Sequence, residues 1–412
     1  MERPYYDELE TRPPELREAA LMAALPGQIG LARQQAPGWS RILAGIEPGD
    51  VRSRTDLARL PVTRKADLLE LQAGDPPFGG LAAAKPGSLA RVFASPGPIF
   101  EPEARRPDYW RFARALWAAG LRPGQILHNC FSYHFTPAGF MMEGGAQAIG
   151  AAVFPAGTGQ TEQQVQAISR IRPHCYTGTP DFLKVIIEKA EETGADVSSI
   201  RCGHVTAGAF MPDARRFYAE RGLQVVQSYG TADLGMVAYE TPAREGLVLD
   251  EHVILEIVRP GIGDPLPDGE VGEVVVTVLN PDYPLVRFAT GDLSAILPGP
   301  SPCGRTNLRI KGWMGRADQT TKVKGMFVHP KQVAEVLARH PGLGRGRLVV
   351  GRADGADVMT LRVEAAAPEP GLAEALAESL QAVTKLKGRV ELAAPGTLPN
   401  DGKVIDDVRT YG

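Results

Sequence analysis

The sequence predicts an α/β protein with a large amino-terminal domain of mostly parallel sheets flanked by helices and a small α+β carboxy-terminal domain. Between residues 108 and 227, segments with helical spacing of apolar residues alternate with short apolar strands, as in a parallel sheet. Residues 252–279 hold two strand-like segments joined by a Pro-Asp-Gly turn, which predicts a small antiparallel subdomain. Residues 327–393 follow the order strand, helix, strand, strand, helix, strand, which is ferredoxin-like. We therefore expect domains at residues 1–317 and 318–412.

The first part of the chain is helical and interrupted by prolines. A helix is predicted from Pro14 to Leu25, because proline is favoured in the first turn. Residues 56–71 predict another helix start, with Thr63 as the cap before Lys65 and Asp67. We expect these residues to be structural.

The region after Asp108 alternates between helices and strands. The predicted strands cover residues 125–130, 150–155, 174–177, 203–207 and 223–227. Two buried helix faces are predicted, one formed by Tyr109, Phe112, Ala113, Leu116 and Trp117 and the other by Phe182, Val185, Ile186 and Ala190. Ligands of such sheets bind at the carboxyl ends of the strands.

The composition is that of an ordinary globular protein. Hydrophobic residues make up 43% and charged residues 23%, and the formal net charge of −3 gives no electrostatic case for nucleic acid or an anionic membrane. The four cysteines are scattered without CxxC spacing, and the acidic amino terminus does not resemble a secretory signal. No apolar run reaches membrane-spanning length. These features predict a cytoplasmic protein, and a homodimer is compatible with them.

Several loops carry polar motifs in a fixed order along the chain. Residues 207–210 read AGAF, and residues 228–240 read SYGTADLGMVAYE after a predicted strand. Asp292 stands in a Thr-Gly-Asp turn, where an acid can accept hydrogen bonds from ribose hydroxyls. A Gly-Arg-x-Asp turn at 315–318 and a Lys-x-Lys-Gly loop at 322–325 suit a hinge between domains.

In this order the motifs resemble those of the adenylate-forming enzymes, and more closely those of the phenylacetate-CoA ligase family. The resemblance extends over nearly the whole chain. It includes residues 56–71, which are similar to the family's LPFTTKEDL signature, and the terminal Pro-x-x-Gly-Lys at 399–403.

The resemblance implies a site for ATP. Tyr229 would stack on adenine and Asp292 would bind the ribose. Ala232 occupies the family's hydroxyl position, so Thr231 would meet the α-phosphate from one residue earlier, and Asp233 would replace a glutamate as the Mg²⁺ ligand. The other implied nucleotide-binding residues are Gly208, Ala209, Ser228, Gly230 and Arg316.

The phosphate-binding loop departs from the family's pattern. Relatives have a Ser/Thr/Gly-rich loop that ends in a lysine and holds the β- and γ-phosphates through backbone N–H groups. This chain keeps Ser95 and Gly97, but Pro96 and Pro98 have no N–H, Glu101 adds a negative charge, and the lysine is absent. We therefore expect Ser95 and Gly97 to contact the nucleotide and ATP to bind weakly relative to AMP.

The resemblance assigns the remaining catalytic roles to the carboxy-terminal domain. Lys403 would stabilise charge on the α-phosphate in the transition state. Asp318 would be the hinge about which the domain rotates between two half-reactions. The loop with Lys322, Lys324 and Gly325 would then line the tunnel for the thiol of coenzyme A.

An acyl pocket is expected from aromatic and small residues, which suit a flat apolar acid. Its predicted residues are Tyr133, His134, Phe135, Ala138, Gly139, Gly235 and Met236. We expect His134 to line the pocket rather than to act as a catalyst.

The predicted function is ATP-dependent activation of an aryl or other hydrophobic carboxylic acid to an acyl-AMP, followed by transfer to coenzyme A, with ATP, Mg²⁺ and coenzyme A as cofactors. Two alternatives remain open from the sequence: transfer to the thiol of a carrier protein, and a non-catalytic protein that binds a nucleotide or acyl ligand. The altered loop at 95–101 favours the second alternative, whereas the presence of Lys403 opposes it.

Overall fold

The computed structural model describes residues 4–259, 263–317, 319, 321–328, 330–353, 356–366, 369–399 and 404–409. The chain divides into two compact units, Met1–Trp313 and Met314–Gly412. Each unit has its own hydrophobic core. The expected division at residues 317 and 318 stays a prediction.

The elements are numbered in chain order. The helices are α1 (Pro14–Gln35), α2 (Pro37–Ile42), α3 (Arg54–Leu57), α4 (Leu68–Gly74), α5 (Ala113–Ala119), α6 (Ala138–Ile149), α7 (Thr161–Ile171), α8 (Pro180–Thr193), α9 (Pro212–Glu220), α10 (Pro330–Ala338) and α11 (Leu372–Thr384). The strands are β1 (Thr63–Arg64), β2 (Leu89–Ser95), β3 (Ile99–Ala104), β4 (Ile126–Asn129), β5 (Ala152–Phe154), β6 (Cys175–Gly178), β7 (Cys202–Val205), β8 (Gln224–Thr231), β9 (Gly235–Glu240), β10 (Leu247–Leu249), β11 (Val253–Val258), β12 (Gly272–Val278), β13 (Phe288–Ser294), β14 (Ile296–Leu297), β15 (Arg309–Ile310), β16 (Thr321–Val323), β17 (Met326–Val328), β18 (Gly346–Ala353), β19 (Ala356–Glu364), β20 (Arg389–Ala393) and β21 (Ile405–Asp407).

The largest sheet of the first unit has the order β14-β15-β10-β9-β8-β7-β6-β4-β5. Strands β5, β4, β6, β7 and β8 pair in parallel, and antiparallel pairing begins between β8 and β9. The predicted βα alternation and the α/β class are confirmed. Because β7 and β8 are parallel neighbours, the loops after them emerge at the same edge of the sheet.

Two details of the predicted helix faces differ from the structure. Val185 is 44% exposed, and α8 instead buries Leu183, Ile186 and Ala190. The residue one position before Ile186 faces solvent because the apolar face of the helix follows the 3.6-residue period. Tyr109 is buried as predicted, but it precedes α5, which begins at Ala113.

A four-stranded sheet with the order β1-β13-β12-β11 confirms the antiparallel subdomain and adds two strands, β13 and β1, to it. Its short edge strand β1 pairs in parallel with β13, with Thr63 opposite Phe288. Arg287, which precedes β13, is 2% exposed, and its guanidinium binds both oxygens of Glu256 at 3.0 Å. The same guanidinium donates to the carbonyl oxygens of Ala58 and Leu60, just before β1. This buried arginine therefore fixes the segment that leads into β1.

The prediction that Thr63 caps a helix is wrong. The Thr63 N–H donates to the carbonyl oxygen of Arg287 at 3.1 Å, so Thr63 is a strand residue. A single 3₁₀ turn follows at Lys65–Asp67, and Asp67 accepts the Arg64 N–H at 3.2 Å. The sequence neighbours of Thr63 favour a cap, but its backbone N–H finds a hydrogen-bond acceptor at Arg287, which is distant in the sequence, and this pairing makes it a strand residue.

In the second unit, α10 and α11 accompany a sheet with the order β20-β19-β18-β21. The predicted strand around Phe327 exists, but it pairs with β16 in a separate two-stranded sheet. Strand β21 lies parallel to β18 at the edge of the main sheet. The unit is thus α+β. Its main sheet differs from the expected ferredoxin-like sheet because it contains β21 and lacks the strand around Phe327. None of the helices in the described part of the chain is long and apolar enough to cross a membrane.

Candidate active site

Asp292, in the four-stranded sheet, and Tyr229, in the nine-stranded sheet, meet in the first unit. The Tyr229 hydroxyl donates to Asp292 Oδ2 at 2.9 Å and lies 3.1 Å from the Thr290 hydroxyl. The indole N–H of Trp313 donates to Asp292 Oδ1 at 2.9 Å. Both carboxylate oxygens therefore accept a hydrogen bond, and Asp292 is only 9% exposed. The nucleoside side of the candidate site is defined by Tyr229, Thr290, Asp292 and Trp313.

The turn between β8 and β9 holds Thr231 and Asp233. The Thr231 hydroxyl accepts the Leu234 N–H at 3.1 Å, which closes the turn. Glycine is required at Gly230, because a Cβ there would lie 2.4 Å from the Gly235 carbonyl oxygen. The two strands can therefore approach closely, and Asp233 is held at the tip with 3% exposure.

Lys65 forms an ion pair with Asp233. Its ammonium lies 2.5 Å from Asp233 Oδ2, and its side chain is 27% exposed. Burial alone would lower the pKa of Lys65, but the charge and hydrogen bond of Asp233, with the charges of Glu101 and Asp292, raise it. Lys65 therefore carries a proton and a full positive charge at neutral pH.

The predicted phosphate loop is a β-hairpin formed by β2 and β3. Only residues 96–98 lie between the strands, where Ser95 pairs with Ile99 and Phe93 with Glu101. The Ser95 hydroxyl donates to Glu101, whose side chain is fully buried. Burial, together with the charge of Asp233, raises the pKa of Glu101 to about 8. The phosphate side of the candidate site is defined by Lys65, Ser95, Glu101 and Asp233.

Other basic residues near this hairpin have acidic partners. Arg91 lies 3.1 Å from Glu103, and Arg106 lies 3.4 Å from Asp282. Lys65, rather than Arg91 or Arg106, is the cation that contacts Asp233.

The predicted acyl-pocket residues divide into a buried and an exposed group. The Tyr133 hydroxyl accepts the Asn129 side-chain N–H at 2.8 Å, and the Tyr133 ring packs edge-on against Phe140 at 5.0 Å. Met236 is fully buried, and its N–H donates to the Trp110 carbonyl oxygen at 3.0 Å. Ala138 and Gly139 begin α6, and a Cβ on Gly139 would lie 2.6 Å from the Ser132 carbonyl oxygen.

His134 and Phe135 lie on the surface of the first unit, outside its packed core. His134 is exposed, and Phe135 is 82% exposed with a positive φ of 58°. The Phe135 carbonyl oxygen accepts the Ala94 N–H at 2.9 Å, so this loop is fastened to β2 by its backbone. The aromatic rings that pack together are Phe93, Trp110, Tyr133 and Phe140.

A buried histidine supports the part of β8 that carries Ser228 and Tyr229. His204 lies 3.0 Å from the Thr177 hydroxyl through Nδ1 and 2.9 Å from the Ser228 hydroxyl through Nε2. Burial lowers the pKa of His204 to about 3, so the ring is neutral. In the adjacent loop Gly208 is exposed, Ala209 is half-buried, and the Thr206 hydroxyl donates to the Ser228 carbonyl oxygen at 2.9 Å.

The remaining predicted residues belong to the second unit. Arg316 is half-buried, and Lys324 and Gly325 form the turn of the β16–β17 hairpin with φ values of 47° and 84°. Positive φ at both turn positions is the geometry of a tight type I′ hairpin. Burial lowers the pKa of Lys322. The predicted hinge Asp318 and the predicted catalytic Lys403 lie outside the described residues.

Sequence reasoning missed two residues of the site, Lys65 and Trp313. Lys65 is 168 positions away from Asp233 along the chain, so only the folded structure reveals the contact. The one available signal was the resemblance of residues 56–71 to the family signature. Trp313 lies two residues before the Gly-Arg-x-Asp turn, and nothing in its neighbours indicates a partner at Asp292.

Comparisons with known proteins agree with this arrangement. Residues 109–278 match the AMP-binding enzyme family, and residues 325–408 match the AMP-binding enzyme C-terminal domain. The chain is 34% identical to a phenylacetate-coenzyme A ligase of Thermus thermophilus over 382 residues, which cover 88% of this chain and 85% of the relative. It is 32% identical to the phenylacetate-coenzyme A ligase of Aromatoleum evansii, over 82% of this chain and 80% of the relative.

A solved structure with a similar fold is that of 2-hydroxyisobutyryl-CoA ligase in complex with its acyl-AMP and CoA. It has a TM-score of 0.81 and 26% identity, and the match covers 99% of this chain and 93% of the ligase. The identity and coverage of the sequence relatives, with both domain matches, establish the family. The chain therefore belongs to the phenylacetate-CoA ligase family of adenylate-forming, acid-activating enzymes.

Proposed function

We propose that this protein activates an aryl or other hydrophobic carboxylic acid with ATP and then transfers the acyl group to coenzyme A. The observation that carries the proposal is the position of Asp292. This acid is held by Tyr229 and Trp313, and its charge also acts on Lys65 beside Asp233. A ribose acceptor and a phosphate-binding cation are thereby neighbours, as a nucleoside triphosphate requires.

On the nucleoside side, Asp292 is the acceptor for the ribose hydroxyls and Tyr229 the neighbour of adenine. Each oxygen of a carboxylate has more than one lone pair, so Asp292 can accept from ribose hydroxyls as well as from Tyr229 and Trp313. The small residues Gly208 and Ala209 border the base, while Ser228 and Gly230 hold Tyr229 in position.

On the phosphate side, we assign the contact with the triphosphate to Lys65, because the hairpin lacks the family's lysine. Thr231 supplies the hydroxyl for the α-phosphate, because it precedes Ala232, which stands at the family's hydroxyl position. Gly97 lies in the tight turn between β2 and β3, where the lack of a side chain lets a phosphate approach the backbone. Asp233 fits Mg²⁺, since its Oδ1 is buried and has no hydrogen-bond partner among the described residues. When bound, Mg²⁺ would neutralise charge on the phosphate oxygens.

The reaction has two steps. The substrate carboxylate attacks the α-phosphorus of ATP and pyrophosphate leaves, so the acid acquires AMP as its leaving group. The thiolate of coenzyme A then attacks the acyl carbon and AMP departs. Lys403 is the proposed cation for the first transition state, with Arg316 as a further nucleotide contact, and Asp318 the proposed hinge between steps.

The aromatic cluster supports a hydrophobic substrate. The rings of Phe93, Trp110, Tyr133 and Phe140 pack beside Met236, next to the β9 strand that follows Asp233. Ala138, Gly139 and Gly235 add small surfaces, and His134 and Phe135 form the outer loop. Coenzyme A is assigned to Lys322, Lys324 and Gly325, where basic side chains suit its phosphates. The four free cysteines support a reducing, cytoplasmic setting.

The test is to incubate the protein with ATP, Mg²⁺ and a panel of aryl acids, with and without coenzyme A. We expect acid-dependent release of AMP and pyrophosphate and, with coenzyme A, an acyl-CoA. Release of ADP, or release that does not depend on any acid, would refute the proposal. A product that forms only with a carrier protein would redirect the second step.

Lys403→Ala separates the half-reactions. We expect a loss of adenylation by roughly 10²–10³-fold, the effect of removing one transition-state donor, with conversion of supplied acyl-AMP to acyl-CoA retained. Circular dichroism checks folding. An equal loss of both steps would remove Lys403 from this role.

A further inference from the structure

Three buried oxygen atoms near the Lys65–Asp233 pair have no hydrogen-bond partner among the described residues. They are Glu101 Oε2, Asp233 Oδ1 and the Tyr283 hydroxyl. The exposed fractions of these residues are 0% for Glu101, 3% for Asp233 and 1% for Tyr283. Buried polar atoms are rarely left unpaired in proteins, so three in one place indicate a missing ligand.

The three side chains are electrostatic neighbours. The charge of Asp233 contributes to the raised pKa of Glu101, after burial as the main cause. Burial, followed by the charges of Asp233 and Glu101, also raises the pKa of Tyr283. On each carboxylate one oxygen is already used, Oε1 of Glu101 by Ser95 and Oδ2 of Asp233 by Lys65.

The cluster holds two carboxyl groups but a single ammonium. Both carboxyl groups can therefore be ionised together in this buried position only if a second cation joins Lys65. Burial of an unpaired charge is strongly unfavourable, and a divalent cation removes the imbalance. Carboxylate oxygens are the hard ligands that Mg²⁺ and Mn²⁺ prefer.

We propose that Glu101 is a second metal ligand, and that Glu101 and Asp233 together bind a divalent cation before the nucleotide arrives. The inference rests on the proposed function for the use of that cation, which is to receive the triphosphate. Glu101 thus accounts for a hairpin in which Pro96 and Pro98 have replaced backbone donors: phosphate binding depends on a metal instead of on amides.

The ligand number suits Mg²⁺. No group of three or more His, Cys, Asp or Glu side chains that could hold a metal occurs in the described part of the chain. Two carboxylates with water in the remaining positions match an ion that retains several waters when bound. The Tyr283 hydroxyl is then a hydrogen-bond partner for such a water.

Lys65 competes with the metal in this arrangement. Its ammonium occupies Asp233 Oδ2 and supplies positive charge to the same carboxylates. Binding of the metal therefore weakens the ion pair between Lys65 and Asp233, and the Lys65 ammonium becomes available to the phosphates. Removal of the ammonium is expected to strengthen metal binding.

The test measures Mn²⁺ binding to the nucleotide-free protein by electron paramagnetic resonance and calorimetry, with Mg²⁺ as a competitor. We expect one Mn²⁺ per chain in the wild type, at least tenfold weaker binding in Glu101→Gln and in Asp233→Asn, and tighter binding in Lys65→Met. The matched control is Glu103→Gln, which alters a buried carboxylate on the same strand that already has Arg91 as its partner. Its Mn²⁺ affinity is expected to equal that of the wild type.

Three results would overturn the inference: absence of Mn²⁺ binding without nucleotide, unchanged affinity in Glu101→Gln with an intact melting transition, or weaker affinity in Lys65→Met. Acid-dependent pyrophosphate release is measured on the same preparations. Release without prior Mn²⁺ binding refutes the metal site and leaves the proposed function intact. Mn²⁺ binding without pyrophosphate release supports the metal site and refutes the proposed function.

Discussion

The two sides of the candidate nucleotide site differ in how completely their polar groups are paired. On the nucleoside side, each oxygen of Asp292 already accepts a hydrogen bond, from Tyr229 and from Trp313. On the phosphate side, Glu101 and Asp233 each have one oxygen without a partner among the described residues. The nucleoside side is thus complete before binding, whereas the phosphate side depends on cations to complete it.

The difference has a physical reason. A ribose brings neutral hydroxyl groups, which a pre-positioned carboxylate can bind with little reorganisation. A triphosphate brings several negative charges, and these cannot approach two carboxylates unless positive charge arrives first. We therefore expect changes on the nucleoside side to affect every adenine nucleotide, and changes on the phosphate side to affect ATP selectively.

The largest effect is expected from Asp292→Ala. The substitution removes the ribose acceptor together with the hydrogen bonds that Tyr229 and Trp313 donate to this carboxylate, and a hydrogen bond to a charged group contributes about 1.5–3 kcal/mol. ATP, AMP and acyl-AMP should all bind at least about 100-fold more weakly by calorimetry. The control is Asp268→Ala, an exposed carboxylate on a turn of the same unit. A loss confined to ATP would break the distinction between the two sides.

Lys65→Met is expected to weaken ATP binding by roughly 10- to 100-fold, because a charge-assisted contact contributes about 1.5–3 kcal/mol. AMP, which lacks the outer phosphates, should bind with unchanged affinity. Lys311→Met, at an exposed lysine of the same unit, is the matched control.

Lys65→Met also leaves Asp233 as a buried carboxylate without its ammonium, which destabilises the fold. The double variant Lys65→Met/Asp233→Asn removes that unpaired charge and should recover the melting temperature. A parallel loss of AMP and ATP affinity in a folded variant would contradict the assignment of Lys65 to the phosphates.

The pH dependence of stability tests the neutral histidine behind Ser228. Burial holds the pKa of His204 at about 3, below its ordinary 6.5, so between these values the unfolded chain binds a proton that the folded chain does not. The stability present above pH 6.5 is therefore lost as the pH falls, by about 1.4 kcal/mol per pH unit at most. Urea unfolding of the wild type and His204→Gln at pH 7 and 5.5 should show a smaller loss in the variant. Equal losses would show that His204 is protonated in the folded state.

The smallest effect concerns the intact hairpin. With saturating Mg²⁺, ATP should bind less than tenfold more tightly than AMP, because Pro96 and Pro98 cannot donate to its outer phosphates. Titration of ATP, ADP and AMP measures the ratio. A preference for ATP of tenfold or more would mean that the remaining amides of the hairpin are a competent phosphate clamp.

The sequence predicts those parts of the site that depend on local patterns. Tyr229 and Asp292 come after apolar runs that predict strands, so their positions near the ends of these strands could be inferred, and the strands β8 and β13 continue through both residues. The contact between them depends on packing of two sheets, which no local pattern encodes. Phe135 illustrates the limit, since an aromatic residue in a loop was expected to line a pocket and is instead 82% exposed.

Long-range backbone pairing explains the other differences. The sequence neighbours of Thr63 predict a helix cap, but Thr63 pairs with the distant strand β13. In the second unit the strand around Phe327 was identified, but its partner was not, because a two-residue turn at Lys324 and Gly325 folds it back onto β16. The assignments of Asp318 and Lys403 rest on sequence motifs and stay predictions.

The parallel pairing of β1 with β13 sets the distance between two groups of opposite charge. Thr63 lies opposite Phe288, so the spacing between Lys65, which follows β1, and Asp292, which lies within β13, is fixed by hydrogen bonds of the main chain. A shift of one residue in such a register would turn the lysine to the other face of the strand. The buried guanidinium of Arg287 holds the carbonyl groups of Ala58 and Leu60 and so opposes that shift. An insertion between Leu60 and Lys65 would therefore move a charge away from its site while leaving every catalytic side chain unaltered.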